Sequence, residues 1–82
     1  LDPTTLLRLG STLLAHGRLD GARSAFQQVT ARGVGREFEA IARFNLGLVA
    51  AAAGESVEAA SAIATAGEEL RSLAIVPPRY AL

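Results

Sequence analysis

The sequence predicts an all-α fold made of two similar antiparallel helical hairpins, and three observations predict it. Apolar residues recur at spacings of three, four and seven in four successive stretches, and no stretch alternates as a strand would. Glycines or prolines punctuate every gap between those stretches. One pattern of glycines and alanines also occurs twice at a constant offset. With 82 residues there is room for one domain with a small core. Half of the residues are hydrophobic and the mean hydropathy is +0.30, which is too apolar for a disordered chain. Much of that content is alanine, which favours helix but buries little surface, so the helices must approach closely to gain contact.

The first helix starts at Asp2-Pro3, because an Asp side chain can accept from the free amides of a first turn and Pro3 presets the helical φ where no donor is needed. It should run to about His16, with Leu6, Leu7, Leu9, Leu13 and Leu14 on one broad stripe, and end at Gly17. Asp20 is the expected cap of a second helix reaching about Arg32, with Ala22, Ala25, Phe26 and Val29 buried, and Gly33-Val34-Gly35 stops it. A third helix, about Glu37 to Ala53, carries Phe38, Ile41, Ala42, Leu46, Val49 and Ala50 at helical spacing and closes at Gly54. Ser56 begins the fourth, with Glu55 and Glu58 suiting its positive end, and it stops near Leu73, ahead of Pro77-Pro78. Residues 1–76 form the domain on this reading, with one unit over about 3–33, the other over about 36–73, and 77–82 as a tail.

Composition excludes several classes of function. Eight arginines balance eight acids and there is no lysine, so formal net charge is zero. Without a basic cluster interleaved with aromatics, nucleic acid is not an expected partner. Arginine in place of lysine fits a GC-rich, bacterial coding style. The absence of cysteine rules out disulfides, thiol catalysis and thiolate-held zinc, and leaves the redox compartment undetermined. The longest uncharged apolar run, Leu46 to Ala53, is far short of the ~20 residues that span a bilayer, so no membrane is expected and the cytoplasm is the default location. The chain opens Leu1-Asp2-Pro3 rather than with methionine, as a processed chain or a piece of a longer protein would.

The repeat is the most informative feature. Gly10 and Gly47, Gly17 and Gly54, and Ala22 and Ala59 are each 37 positions apart. At the same offset Leu9 pairs with Leu46, Ala15 with Ala52, Ala25 with Ala62, and Phe26 with the similar Ile63. A glycine inside a helix costs ~1 kcal/mol relative to alanine, so its occurrence at equivalent places implies a packing reason. We expect Gly10 and Gly47 to admit a close neighbour, Ala22 or Ala59 on the next helix, with Phe26 or Ile63 filling the space beside it.

At these residues the chain resembles the tetratricopeptide repeat family. Phe44-Asn45-Leu46-Gly47, a helix closing at Gly54, then Ala59 and Ile63 are similar to that family's aromatic-Asn-Leu-Gly, turn glycine, alanine and large apolar series. Leu6-Leu7-Arg8-Leu9-Gly10, Gly17, Ala22 and Phe26 repeat it. The resemblance covers about Thr4 to Leu70. It implies a short right-handed α-solenoid of two repeats and a scaffold that binds a protein or peptide, with no catalysis and no cofactor. The family's usual period is ~34 residues, and the three extra here are expected in the connector from Ala31 to Arg36. The family's frequent early aromatic is Leu6 in one unit and Arg43 in the other.

The resemblance places the partner-binding inner face at Leu7, Arg8, Ser11, Leu14 and Ala15 in the first unit. In the second it is Ile41, Phe44, Asn45, Leu48, Ala51 and Ala52. Relatives that grip a C-terminal carboxylate use lysines and asparagines there; with only Asn45 and Arg8 to serve, such a clamp is not expected. The plainer alternative makes Leu7, Leu14, Phe44 and Leu48 core, covered by a neighbouring helix or a second copy, and Asn45 an internal hydrogen bonder. His16, the single histidine, sits where a helix C-terminus presents free carbonyls, and a catalytic or metal role would need partners that Asp20 alone does not supply. Glu68-Glu69 reads as surface. Tyr80 and Leu82 in the proline-extended tail could anchor in a helical groove. A homo-oligomer is the alternative reading, because solenoids commonly need ~3 repeats and two leave an apolar edge uncovered.

Overall fold

A computed structural model describes residues 1–73, and among them the chain forms four helices and no strand. These are α1 (Pro3–Ala15), α2 (Leu19–Arg32), α3 (Arg36–Ala52) and α4 (Ser56–Ser72). α1 packs on α2 and α3 on α4, giving two hairpins, which we call unit one and unit two; they stack mainly through α2 and α3, with a lighter contact between α1 and α3. The expected domain end at residue 76 and the tail at 77–82 lie outside the described residues.

The helix ends follow local chemistry. Asp2 accepts from the Thr5 amide at 2.7 Å, and this bond holds its carboxyl below the usual aspartate range. The turns inside the hairpins are copies. Gly17 at φ 74° donates to the Leu14 carbonyl and Arg18 to Leu13; Gly54 at φ 82° donates to Ala51 and Glu55 to Ala50. This paired bond set satisfies carbonyls that a helix end leaves free, and it needs a left-handed residue that glycine adopts without strain.

One expected cap is corrected. Arg18, not Asp20, holds the N-cap position of α2 and gives no side-chain bond; Asp20 sits inside the first turn, where its charge suits the dipole. Ser56 is the first residue of α4, as expected, and Glu55 before it makes no capping bond. Glu55 points instead to α2, pairing with Arg23 at 3.3 Å across the two units.

Of the connector expected over Ala31 to Arg36, only Gly33-Val34-Gly35 lies outside the helices, since Ala31 and Arg32 end α2 and Arg36 opens α3. α3 starts eleven residues ahead of Gly47, whereas α1 starts seven ahead of Gly10, so α3 has about one more turn before its notch. Phe38 in that turn packs on the core and Glu39 pairs with Arg43, which gives those residues a reason to be helical rather than loop.

The core runs through both units: Leu6, Leu7, Ala22, Phe26, Val29, Ala40, Ile41, Ala42, Val49 and Leu70 form one buried cluster. The glycine notches explain how the hairpins close. A methyl group on Gly10 would lie 2.6 Å from the Phe26 ring. One on Gly47 would lie 2.7 Å from Ile63 Cγ1, 3.2 Å from the Ile63 amide nitrogen and 3.3 Å from Ala62 Cβ. The occupants of the notches are therefore Phe26 and the Ile63–Ala62 pair, not Ala22 and Ala59 as expected. Ala22 and Ala59 are buried, but the large residue four positions later is the one that reaches the notch.

Candidate functional site

The expected inner face divides in two. Leu7 and Ile41 are buried in the core, at 1% and 5% exposure. Asn45 is also buried, and its amide donates to the Ile41 carbonyl one turn back at 2.8 Å. These three are covered by the protein itself, Leu7 and Asn45 in the way the plainer alternative has them. Leu14, Phe44 and Leu48 are half-buried, and Arg8, Ala15, Ala51 and Ala52 are exposed. Ser11 is half-buried, and its hydroxyl oxygen is itself buried, with no hydrogen-bond partner among the described residues.

The signature positions also differ in burial. Gly10, Ala22, Phe26, Gly47 and Ala59 are buried, Leu46 and Ile63 half-buried, and Gly17, Gly54 and Leu9 exposed, the last because the stripe on α1 is wider than the core it meets.

Phe44 also lines a cleft of about 440 Å³ with Ile63, Ala64, Thr65, Glu68 and Arg71 of α4. Those α4 positions were not singled out in the sequence, where α4 read only as the back of its hairpin.

A second feature that periodicity missed is an ion-pair network. Arg43 takes the place equivalent to buried Leu6 and donates to Glu69 at 2.6 Å, while also lying 3.7 Å from Glu39. Arg36 is 4.0 Å from the second oxygen of Glu69. Glu69 is thus a partly buried tie between α3 and α4, not a plain surface acid. The clue was the arginine at an apolar register position, which requires a carboxylate within reach.

His16 accounts for itself locally: its Nδ1 lies 2.8 Å from the Thr12 carbonyl oxygen, so a protonated Nδ1 donates to a free end of α1. Among the described residues no three His, Cys, Asp or Glu side chains gather to hold a metal ion, and no helix is long and apolar enough to cross a membrane.

Two hairpins with matched turns, matched glycine notches and a half-buried stripe on the first helix of each pair define one architecture. The sequence profile of the tetratricopeptide repeat family matches residues 7–72, almost the whole of both hairpins. The chain belongs to the tetratricopeptide repeat family. No curated protein and no solved structure matches it. Tetratricopeptide repeats are in general protein-interaction modules and typically non-catalytic.

Proposed function

We propose that this repeat pair is a non-catalytic scaffold that holds an extended peptide or a partner helix against α1 and α3, as part of a larger protein. The contact set is Arg8, Ser11, Leu14, Ala15, Phe44, Leu48, Ala51 and Ala52. The observation that carries the reading is that Leu14, Phe44 and Leu48 remain half open after the core is complete. Apolar side chains left at a surface flanked by small residues suit the anchors of a bound segment, and large aromatics carry most of the energy at such contacts. Arg8 supplies a charge for a carboxylate on the ligand.

The test is selection of peptides from a random library on the intact chain, followed by titration of the selected peptides into Phe44→Ala and Leu48→Asp. Affinity should fall by about tenfold or more in each, since losing one desolvated anchor costs at least ~1.4 kcal/mol. Selected peptides that bind both variants as well as the parent would sink the assignment.

The rival is a structural homo-oligomer with no separate ligand, favoured by the presence of two repeats where ~3 are usual. Phe44→Ala separates them: loss of peptide capture by an unchanged species points to the scaffold, whereas a fall in solution mass points to the oligomer.

A further inference from the structure

The two units are alike in their turns and notches but not in the edge that the first helix of each presents. Gly47 marks the side of α3 that meets α4, and Ala42, Asn45 and Val49 lie roughly opposite it at ~100° per residue. All three are buried, at 0%, 1% and 0% exposure, on the side where α3 stacks on unit one. The offset of 37 carries these positions to Thr5, Arg8 and Thr12 of α1, and there all three are exposed. The edge that unit two turns toward unit one is small and nearly apolar, whereas the same edge of unit one is two hydroxyls and a guanidinium.

A second copy could repeat the internal junction only by laying its α1 on α4 of the first, as α3 lies on α2. That would bury the polar edge. Thr5 is larger than Ala42, Arg8 is much larger than Asn45, and Thr12 sets a hydroxyl where Val49 has a methyl, all at places the internal junction closes to solvent. The ion pair that bridges the units would be lost as well. Arg23 and Glu55 meet at 3.3 Å across them, and their counterparts in such a stack are Ala60 and Arg18.

Long-range charge works in the other direction. The side chains of residues 1–33 hold four arginines against two aspartates, a net +2, and those of residues 34–73 hold three arginines against six glutamates, a net −3. Unlike ends of two copies therefore attract. A head-to-tail contact of this kind does not close on itself, so it would add copies without limit.

We infer that the edge formed by Thr5, Arg8 and Thr12 prevents this: charge draws unlike ends together, and the edge denies them a closed contact. The chain therefore does not stack head to tail on itself. The inference concerns contacts between copies and goes beyond the peptide-holding role; it leaves closed assemblies open to the rival reading and excludes open chains.

The experiment is sedimentation equilibrium of the 82-residue chain at low salt over a wide range of protein concentration, beside Thr5→Ala/Arg8→Asn/Thr12→Val, which gives α1 the edge of α3. The parent should level off at the mass of a monomer or of a closed dimer. The triple variant should climb with concentration without levelling, to several-fold the parent's mass. Adding Ala60→Arg, which sets an arginine against Arg18 in the stack, should return the variant to the parent's mass. The substituted positions are exposed, so far-ultraviolet circular dichroism should be unchanged throughout. A parent mass that rises without levelling would overturn the inference, as would a folded triple variant that sediments like the parent. Growth that survives Ala60→Arg would overturn it too, because the copies would then meet by another route. No peptide ligand enters the measurement, so its failure is separate from failure of the proposed function.

Discussion

Replacing Gly47 by alanine tests the central packing feature directly. In an exposed helix the change would stabilise by about 1 kcal/mol, by removing backbone freedom from the unfolded chain. Here the new methyl group would sit 2.7 Å from Ile63 Cγ1, 3.2 Å from the Ile63 nitrogen and 3.3 Å from Ala62 Cβ, all closer than an ordinary ~3.5–4.0 Å carbon contact. Ile63 is β-branched and stiff at χ1, and its nitrogen is main chain, so the strain is relieved only by moving α4. Overpacking of this kind costs ~1–3 kcal/mol, and the backbone contact places it in the upper part of that range. The net expectation is a loss of about 1–2 kcal/mol, or a melting temperature lower by roughly 5–15 °C for a chain of this size. Urea titration followed by circular dichroism measures it. The loss should shrink in an Ile63→Ala background, where the colliding atom is gone. A Gly47→Ala chain as stable as its parent would refute the notch, as would a penalty identical with and without Ile63.

Gly67 provides the contrast: among the described residues a methyl there meets nothing nearer than Arg71 Nη1 at 3.7 Å, so Gly67→Ala should stabilise by about 0.5–1 kcal/mol in the same titration, and a loss would contradict the geometry. Arg43 and Glu69, 40% and 24% exposed, should show a coupling of about 0.5–1 kcal/mol in a cycle built from Arg43→Met and Glu69→Gln, weakening at high salt; additive losses would remove the pair from the account. Asp2 is pulled below its ordinary pKa chiefly by the Thr5 amide, so its cap contributes fully above the unfolded aspartate value and is lost as pH falls through the lowered folded value. Asp2→Asn should keep the cap and abolish that acid-side dependence, read as amide exchange at Thr5; a dependence that persists would point to another group.

Much of the candidate face was legible because period and repeat are properties of the chain alone. Leu14, Phe44 and Leu48 fall on one side of α1 and α3 by spacing. Leu7, Ile41 and Asn45 lie on the same side by spacing, yet the structure buries them. A helical wheel gives direction but not how far a neighbouring helix reaches around it, and the stacking of α3 on α2, with α1 alongside, covers the edge of that stripe. The same limit hid the cleft beside Phe44, whose wall comes from α4, and the tie from Arg43 to Glu69, which spans 26 positions.

The sequence by itself determined the four helices, the left-handed glycine turns and the two-fold internal repeat, because caps, φ preferences and apolar periodicity act over a few residues. What fills each notch and which positions stay open were settled by the packing of the helices on one another. Those outcomes depend on distances of a few tenths of an ångström between helices, and such distances arise from the summed volumes of side chains that are remote in the chain.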